Sequence, residues 1–529
     1  MSKKNRADLN RIIEDVDNKI FNEIFYLART KKRKFIAYLG PTNSGKTYAA
    51  LEALKNAEKG TYLAPLRLMA LENYEKLRDA NLNAGLKTGE EEKDLDGCSH
   101  ICQTIETANF SESYNVAVID EIQLLTDINR GGFWLNAVIG ISADIIYLCG
   151  ARFIETVLRE LISLTGDELE INYTERKSPL IFSEKEDSVL RLPEKGTAFI
   201  AFSRKNVLAW KELLEDSGAS VSVIYGSLSP EVRREQSRRF REGESNYLVA
   251  TDAIGMGLNL PIKKIIFTDT SKFDGENFRP LGVQEVKQIA GRAGRYGIVN
   301  CEGIVSSYSS KELDFLKTNY FTNDPVVSIK DIHIRPNQLY ILNICDSLNN
   351  YSLKTGLSFF NKGQHSSFSI NISEDELSIA DDLDHIFSTN KHSFNDKWLF
   401  FISPIDIKNK LCYLYFKDLL YRYKKTSEIG YVELGIQEYN NISLEQAEAY
   451  RKNITLYLWL SLKKPDVFCD YDKAKYLSSF YDDIINNYLS KYKKNKSMYR
   501  VLLCKKCKAT MQPFSQFELC FNCHKSHGN

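Results

Sequence analysis

The sequence predicts an α/β protein: two parallel-sheet lobes in tandem, then a mostly helical domain, then a small metal-bound ribbon. Three observations predict it. From Arg33 to about Ser310, short apolar runs of buried-strand type alternate with helical patterns, in two successive series. After about Asp324 that alternation fades, and Phe, Tyr, Asn and Lys become common. The C-terminal residues carry two Cys-x-x-Cys pairs. Near-continuous apolar strands alternating with helices imply parallel sheets covered on both faces.

The elements follow in order. At roughly 100–200 residues per domain, a chain of this length holds about three to four domains. Residues 1–32 form an N-terminal helical segment. In the first series RKFIAYLG leads to KTYAALEALKNA, and KGTYLAPL leads to RLMALENYEKLRDA. YNVAVIDEI and DIIYLCGA are further strands, and FIETVLRELISLTG closes the lobe as an amphipathic helix. This assigns residues 33–173 to the first lobe. A seam near Tyr173 to Pro179 precedes GTAFIAFS, ASVSVIYG, NYLVATD, KKIIFTDT and EGIVSSYS, which assign residues 174–324 to the second. In residues 325–498, SLEQAEAYRKNITLYLWLSLKK and YDKAKYLSSFYDDIINNYLSKYKK have helical periodicity. Ser352 to Glu374 follows neither period. Residues 499–529 hold the ribbon.

Hydrophobic content of 43% is ample for buried cores, and a net charge of +1 excludes a global polycation. Nucleic-acid binding would need local basic tracks. Candidates are Lys31 to Lys34, Arg233 to Arg241 and Lys491 to Lys496, each of which also reads as a solvated face. No stretch reaches the roughly 18–20 apolar residues of a membrane span. The first residues lack the apolar core of a secretory signal, and Glu14, Asp15 and Asp17 argue against a mitochondrial transit peptide. The expectation is a cytoplasmic protein, which suits the seven scattered cysteines as reduced thiols.

The chemistry begins at Gly40-Pro41-Thr42-Asn43-Ser44-Gly45-Lys46-Thr47, which fits G-x-x-x-x-G-K-[ST] between a strand and a helix. Glycines let backbone N–H groups wrap phosphates, Lys46 reaches the β- and γ-phosphates, and Thr47 offers a hydroxyl to magnesium. The helix opening at Lys46 adds its dipole. The strand VAVI ends in Asp120 and Glu121, which would hold Mg2+ and polarise the attacking water. The implied cofactors are ATP and Mg2+.

The second lobe narrows the task. VATDAIGMGLNLP runs from a strand to Asp252, then Gly255 and Gly257, glycines that allow close backbone approach to a nucleotide. QIAGRAGR follows with Gln288, Arg292 and Arg295. In a helix the two arginines would share one face. Both are expected as fingers on the γ-phosphate, a device worth about 10³–10⁵ in rate.

GPTNSGKT, APLRLMALE, TGEE, VIDEIQ, LCG, VIYGSLSP, ATDAIGMGLNL and QIAGRAGR occur in the order of superfamily 2 helicases. The chain most resembles the suppressor-of-var-three RNA helicases of mitochondria and their bacterial relatives, over most of its length. The resemblance implies two RecA-like lobes and an ATP-dependent helicase moving 3′ to 5′ on single-stranded RNA, with possible action on DNA. It implies nucleic-acid contacts from Pro65, Arg67, Thr88, Gly89 and Thr104 in the first lobe, and from Ser203, Gly226 and Thr251 in the second. Such backbone contacts carry affinity with little sequence information. There are departures. Gln123 stands where the wider DExH group has His, as the mitochondrial branch also does. Ala151-Arg152 follows LCG where an acidic residue is expected, which bears on coupling through this segment. A mitochondrial leader is not recognisable, which points to a bacterial, phage or otherwise cytosolic relative.

Two features lie outside those motifs. In FTDTSKFDGENFRPL, Asp274-Gly275 is a hairpin turn signal between aromatic arms. Such a hairpin at a duplex junction would stack Phe273 and Phe278 on the terminal base pair, at about 1–3 kcal/mol per base; a plain surface hairpin is the alternative. Cys504, Cys507, Cys520 and Cys523 form C-x2-C-x12-C-x2-C, the ligand spacing of a structural Zn2+ ribbon. Disulfides or free thiols are the alternative.

The expected function is therefore an ATP-dependent helicase acting on single-stranded or 3′-tailed RNA, with a 3′ exonuclease or other protein as a possible partner. The competing reading is an ATP-gated clamp or ribonucleoprotein remodeller that does not unwind.

Overall fold

The computed structural model describes residues 25–188, 191–255, 259–274, 277–294, 302–362, 368–431 and 442–490. The chain divides into two compact units. The first holds Met1–Leu39, Lys46–Tyr173 and Val326–Tyr481; the second holds Gly40–Gly45, Thr174–Pro325 and Asp482–Asn529. The helical domain is thus not a separate body: most of it folds with the first α/β lobe.

The first unit is built on eight strands: β1 (Lys34–Leu39), β2 (Gly60–Ala64), β3 (Ala84–Lys87), β4 (Glu92–Lys93), β5 (His100–Thr104), β6 (Ser113–Ile119), β7 (Ser142–Gly150) and β8 (Glu168–Tyr173). Their order is β4-β3-β5-β2-β6-β7-β1-β8. Every pairing is parallel except that of β3 with β4. Each residue of β2 is buried, as a strand covered on both faces requires. Register aligns Leu39 with Gly150, Ala64 with Thr104, and Leu63 with Ile119. The C-terminal ends of these strands therefore share one edge, where open α/β sheets bind ligands.

The helices packed with this lobe open on side-chain caps. Asn337, Ser373, Asn390, Asn409 and Ser443 each accept a backbone N–H of the following helix, and Ser373 and Ser443 complete capping boxes with Glu376 and Gln446. The ambiguous Ser352 to Glu374 stretch contains the helix Leu353–Lys362. Its cap is remote in sequence: Asp384 accepts from the N–H groups of Leu353 (2.9 Å) and Lys354 (3.0 Å), with the buried Lys397 ammonium 2.6 Å away. Gly356 sits inside this helix because a β-carbon there would lie 2.8 Å from Ile341 and 2.9 Å from the Cys345 sulfur.

The second unit is a six-stranded parallel sheet: β9 (Leu180–Phe182), β10 (Thr197–Ile200), β11 (Val221–Ile224), β12 (Tyr247–Ala250), β13 (Lys264–Phe267) and β16 (Gly303–Ser307). Its order is β11-β12-β10-β13-β16-β9. The strands β14 (Ser271–Phe273) and β15 (Phe278–Pro280) pair antiparallel, with Phe273 opposite Phe278. The expected hairpin is present.

The QIAGRAGR stretch departs from a helical reading. The helix Val283–Ala290 stops at Gly291, and Arg292 and Ala293 donate their N–H groups only three residues back. Gly294 then takes φ +63° and crosses β16, where a β-carbon would meet Gly303 N at 2.3 Å. Arg292 therefore lies on a turn beyond the end of the helix. Arg295 and Gly257 lie outside the described residues, as do the tail cysteines and residues 1–24 of the expected N-terminal helical segment. Among the described residues no helix is long and apolar enough to cross a membrane.

Candidate functional site

In the first unit the site grows from two strand ends. Helix Lys46–Lys55 begins with the phosphate-loop lysine. One residue on, the Thr47 hydroxyl donates to Asp120 Oδ1 at 3.1 Å. Asp120 follows the last residue of β6 and is buried. Its Oδ1 also accepts from Glu121 N at 2.9 Å, and its Oδ2 accepts from the Tyr62 phenol at 2.8 Å. Its carbonyl accepts from the indole of Trp134 at 2.9 Å. Burial, and then the neighbouring Glu121 charge, push the Asp120 carboxyl up to about 6, while the Tyr62, Glu121 backbone and Thr47 hydrogen bonds oppose the rise.

Glu121 occupies the left-handed region at φ 51°, ψ 47°. A non-glycine residue held there marks a backbone constrained by its surroundings. The constraint is visible: Gln123 Nε2 donates to Glu121 Oε2, and Gln123 Oε1 accepts from Ala151 N at 3.1 Å. Because an N–H fixes which end of the amide accepts, the other end must donate to Glu121. Ala151 follows β7, so Gln123 links the ends of two strands. The link uses a backbone N–H of Ala151, so an alanine in place of an acidic residue leaves it intact. Gly150 is required beside it, since a β-carbon would lie 2.6 Å from Gln123 Oε1 and 2.5 Å from Ile122.

The Thr47 hydroxyl and Asp120 carboxylate are hard oxygen donors on adjacent elements, and they fit magnesium, which binds through few protein oxygens and retains water. Among the described residues there is no group of His, Cys, Asp and Glu that would hold a metal by itself.

In the second unit, Asn43 and Gly45 take φ 68° and 87°, the left-handed turns of a phosphate loop. Ser44 Oγ meets Pro41 O at 2.9 Å and Thr174 Oγ1 at 2.8 Å. Arg292 is buried and donates to the Gly255 carbonyl. Gln288 approaches the same glycine, its Cβ 4.0 Å from where a Gly255 β-carbon would stand. Asp252 accepts from Lys272 at 2.8 Å, and Lys272 also pairs with Glu285 at 2.6 Å. The hairpin is thereby anchored to the loop after β12. The hairpin's two rings lie 5.4 Å apart, and both phenylalanines are exposed.

The nucleic-acid residues expected from the sequence all sit at strand ends or helix starts, but most of their polar groups are engaged locally. Thr88 is buried, its hydroxyl bonded to the Glu91 backbone at 3.1 Å. Arg67 pairs with Glu90 at 2.6 Å. The Pro65 carbonyl accepts from Arg130 at 2.6 Å, and Thr104 meets the Thr107 hydroxyl at 3.4 Å. Ser203 caps helix Arg204–Asp216, and the Thr251 hydroxyl accepts from Ala253 N. Gly226 has open space where a side chain would stand. Gly89 lies under Trp459 of the helical domain, with 3.2 Å between the indole and its would-be β-carbon.

One basic run is neutralised in place and a second in part. Lys31, Lys32, Arg33 and Lys34 pair with Asp144, Glu168, Asp167 and Glu170. Arg238 alone meets Glu235, Glu242 and Glu244. Lys491 to Lys496 lie outside the described residues. Sequence reading missed Tyr62, whose phenol is hidden in an all-buried strand, and it treated Gln123 as a lineage mark without a role.

Residues 22–174 match the DEXQ-box helicase domain of Suv3. Residues 184–297 match the helicase conserved C-terminal domain, and residues 444–491 the ATP-dependent RNA helicase SUV3 C-terminal domain. A mitochondrial DExH-box ATP-dependent RNA helicase of Arabidopsis thaliana is 34% identical over 473 residues, covering 88% of this chain and 82% of that protein. The mitochondrial ATP-dependent RNA helicase SUV3 of Oryza sativa subsp. japonica is 34% identical over 482 residues, covering 88% and 81%. The chain belongs to the Suv3 family of ATP-dependent RNA helicases.

As a Suv3-family helicase it binds ATP and RNA, and the glutamine of its DEXQ box is Gln123, the residue that holds Glu121. The expectation of a cytoplasmic protein is corrected by these relatives, which are mitochondrial by name. Glu14, Asp15 and Asp17 bear on the leading segment alone and not on where the folded domains work.

Proposed function

We propose that this helicase moves 3′ to 5′ on single-stranded RNA and separates duplexes ahead of it, with DNA as a second substrate. In this reading Gly40 to Thr47 bind the nucleotide phosphates, with Lys46 on the β- and γ-phosphates. Thr47 and Asp120 hold magnesium, which supplies charge neutralisation for the phosphates. Glu121 polarises the attacking water, and Gln123 keeps its carboxylate aimed. Gln288, Arg292 and Arg295 serve the transferred phosphate, with Asp252 and Gly255 beside them. The observation that carries the reading is the unbroken chain Thr47–Asp120–Glu121–Gln123–Ala151.

The relatives' names support a mitochondrial site of action, and RNA freed at its 3′ end would suit a 3′ exonuclease partner. Phe273 and Phe278 would meet the duplex junction. The four tail cysteines would bind one zinc, whose binding energy would fold a segment too short for its own core. Metal analysis of the full chain tests this: about one zinc per chain, lost when Cys504 and Cys520 become Ser, is expected, and a zinc-free protein refutes it.

The deciding experiment is strand displacement on 3′-tailed and 5′-tailed RNA and DNA duplexes, with wild type and Lys46→Ala. Displacement of 3′-tailed RNA that vanishes in the variant is the expected result. RNA-stimulated hydrolysis without displacement would instead establish a clamp or remodeller.

A further inference from the structure

The segment Thr174–Ser178, in YTERKSP at the seam, was read from sequence only as a boundary. It packs with Gly40–Gly45 in the second unit. Thr174 closes on the loop so tightly that a β-carbon on Gly40 would lie 2.3 Å from its carbonyl oxygen. Lys177 N donates to Asn43 O at 3.0 Å. The segment is therefore built onto the loop backbone at both ends.

Two cations stand on this scaffold. The Arg176 guanidinium donates to four carbonyls: Ser178 at 2.7 Å, Gly291 at 2.7 Å, Thr42 at 3.3 Å, and Ala293. One side chain thus ties the phosphate loop to the turn bearing Arg292. Among the described residues no carboxylate pairs with Arg176, and burial lowers its pKa. Among the described residues carbonyl dipoles answer this mostly buried charge, and an added anion would be favoured beside it. The second cation is Lys177. A β-carbon on Gly45 would lie 3.0 Å from both its Cε and its Nζ. Gly45 takes φ +87°, which by itself asks for glycine, and the ammonium stands against this loop residue, next to Lys46.

We propose that Arg176 and Lys177 form a polyphosphate subsite, in which Lys177 contacts the phosphates of bound nucleotide and Arg176 positions the loop and the Arg292 turn around them. This rests on the reading of Gly40 to Thr47 as the ATP loop. The ligand class is a nucleoside di- or triphosphate, and the subsite is indifferent to the base.

The test is titration of the full chain with ATP, ADP, AMP and a non-hydrolysable ATP analogue, for wild type, Lys177→Met, Lys177→Arg, Arg176→Met and Lys46→Ala. Loss of one charge-assisted contact weakens binding about tenfold. Lys177→Met should lose that factor for the di- and triphosphates with AMP unchanged, and Lys177→Arg should recover most of it. Arg176→Met should lower kcat more than it raises KM, since it acts through its neighbours. Unchanged or tighter ATP binding by Lys177→Met would overturn the proposal, tighter binding meaning that the ammonium merely fills the loop. That outcome remains readable if Arg176→Met fails to fold. ATP binding unaffected by Lys46→Ala would instead overturn the underlying reading of the loop.

Discussion

Replacing Gln123 with Ala isolates one step of the hydrolytic chain. The Gln123 side-chain amide makes two hydrogen bonds in the described structure: a donation to the Glu121 carboxylate and an acceptance from Ala151 N at 3.1 Å. Hydrogen bonds to a charged group contribute about 1.5–3 kcal/mol. At about 1.36 kcal/mol per factor of ten, full loss at the transition state lowers kcat about 10- to 100-fold. The KM for ATP should change little, because neither contact involves the phosphate loop. The assay is steady-state RNA-stimulated ATP hydrolysis, read with a thermal melt that verifies folding. If Gln123 acts only by aiming Glu121, its removal should cost less than about threefold in a Glu121→Gln background, since residues acting as a unit are strongly non-additive. Gly150→Ala reaches the same link from the other side, by driving a methyl against Gln123 Oε1, and should give the same kcat-dominated loss. A folded Gln123→Ala enzyme within about twofold of wild type, or full additivity with Glu121→Gln, would refute the reasoning.

Three further outcomes are expected. Tyr62→Phe strips the 2.8 Å donor from a buried carboxylate oxygen and should destabilise the chain by about 1–3 kcal/mol in urea unfolding, so an unchanged midpoint would contradict the assigned bond. Burial raises the Glu312 carboxyl to about 7. A group raised in the folded state contributes stability that is whole below about pH 4.5 and is lost as pH climbs to about 7. Glu312→Gln should therefore flatten that window, with a gain of roughly 3 kcal/mol at pH 8, and parallel melting curves across pH would exclude the effect. Phe273→Ala with Phe278→Ala should abolish strand displacement while leaving RNA-stimulated hydrolysis within about twofold, whereas equal loss of both activities would remove the hairpin from the junction.

The chemistry was legible where it sits on strand ends, because glycines and charges interrupt an apolar run there: Gly40 after β1, Asp120 after β6, Gly150 closing β7. What was illegible has a common cause, a local signal answered by a distant partner. The strand β5 reads HICQT, too polar for a central strand. Its His100 is buried with Nε2 3.0 Å from Leu54 O, and Gln103 donates to Thr61 Oγ1 at 2.9 Å. Helix Leu353–Lys362 escaped notice because Asp384 supplies its cap, and because Gly356 serves helix packing at the expense of propensity. Tyr62 looks like core until its hydroxyl is traced to Asp120. Arg292 of QIAGRAGR reads as helical by its spacing, which ignores that the helix ends at Gly291 and that Gly294 takes φ +63°.

The residues assigned to the nucleic acid carry a further consequence. Thr88, Thr104, Ser203 and Thr251 spend their hydroxyls on the loops that hold them. In the proposed RNA contact these side chains serve their own loops first, and a surface of that kind would read phosphates and not bases, as a motor stepping over every sequence requires. Its rigidity has a visible source in the first unit. Glu90 is held by Arg67 at 2.6 Å and by Arg451 at 3.6 Å, its carbonyl by Tyr471 at 3.3 Å, and Glu91 by Lys475 at 3.2 Å. Three of those four partners belong to the helical domain. The helices that share a body with the first lobe therefore brace the loop Thr88–Glu91 directly. Loosening that brace should weaken RNA-stimulated hydrolysis without altering basal hydrolysis, because the brace touches none of Thr47, Asp120, Glu121 or Gln123.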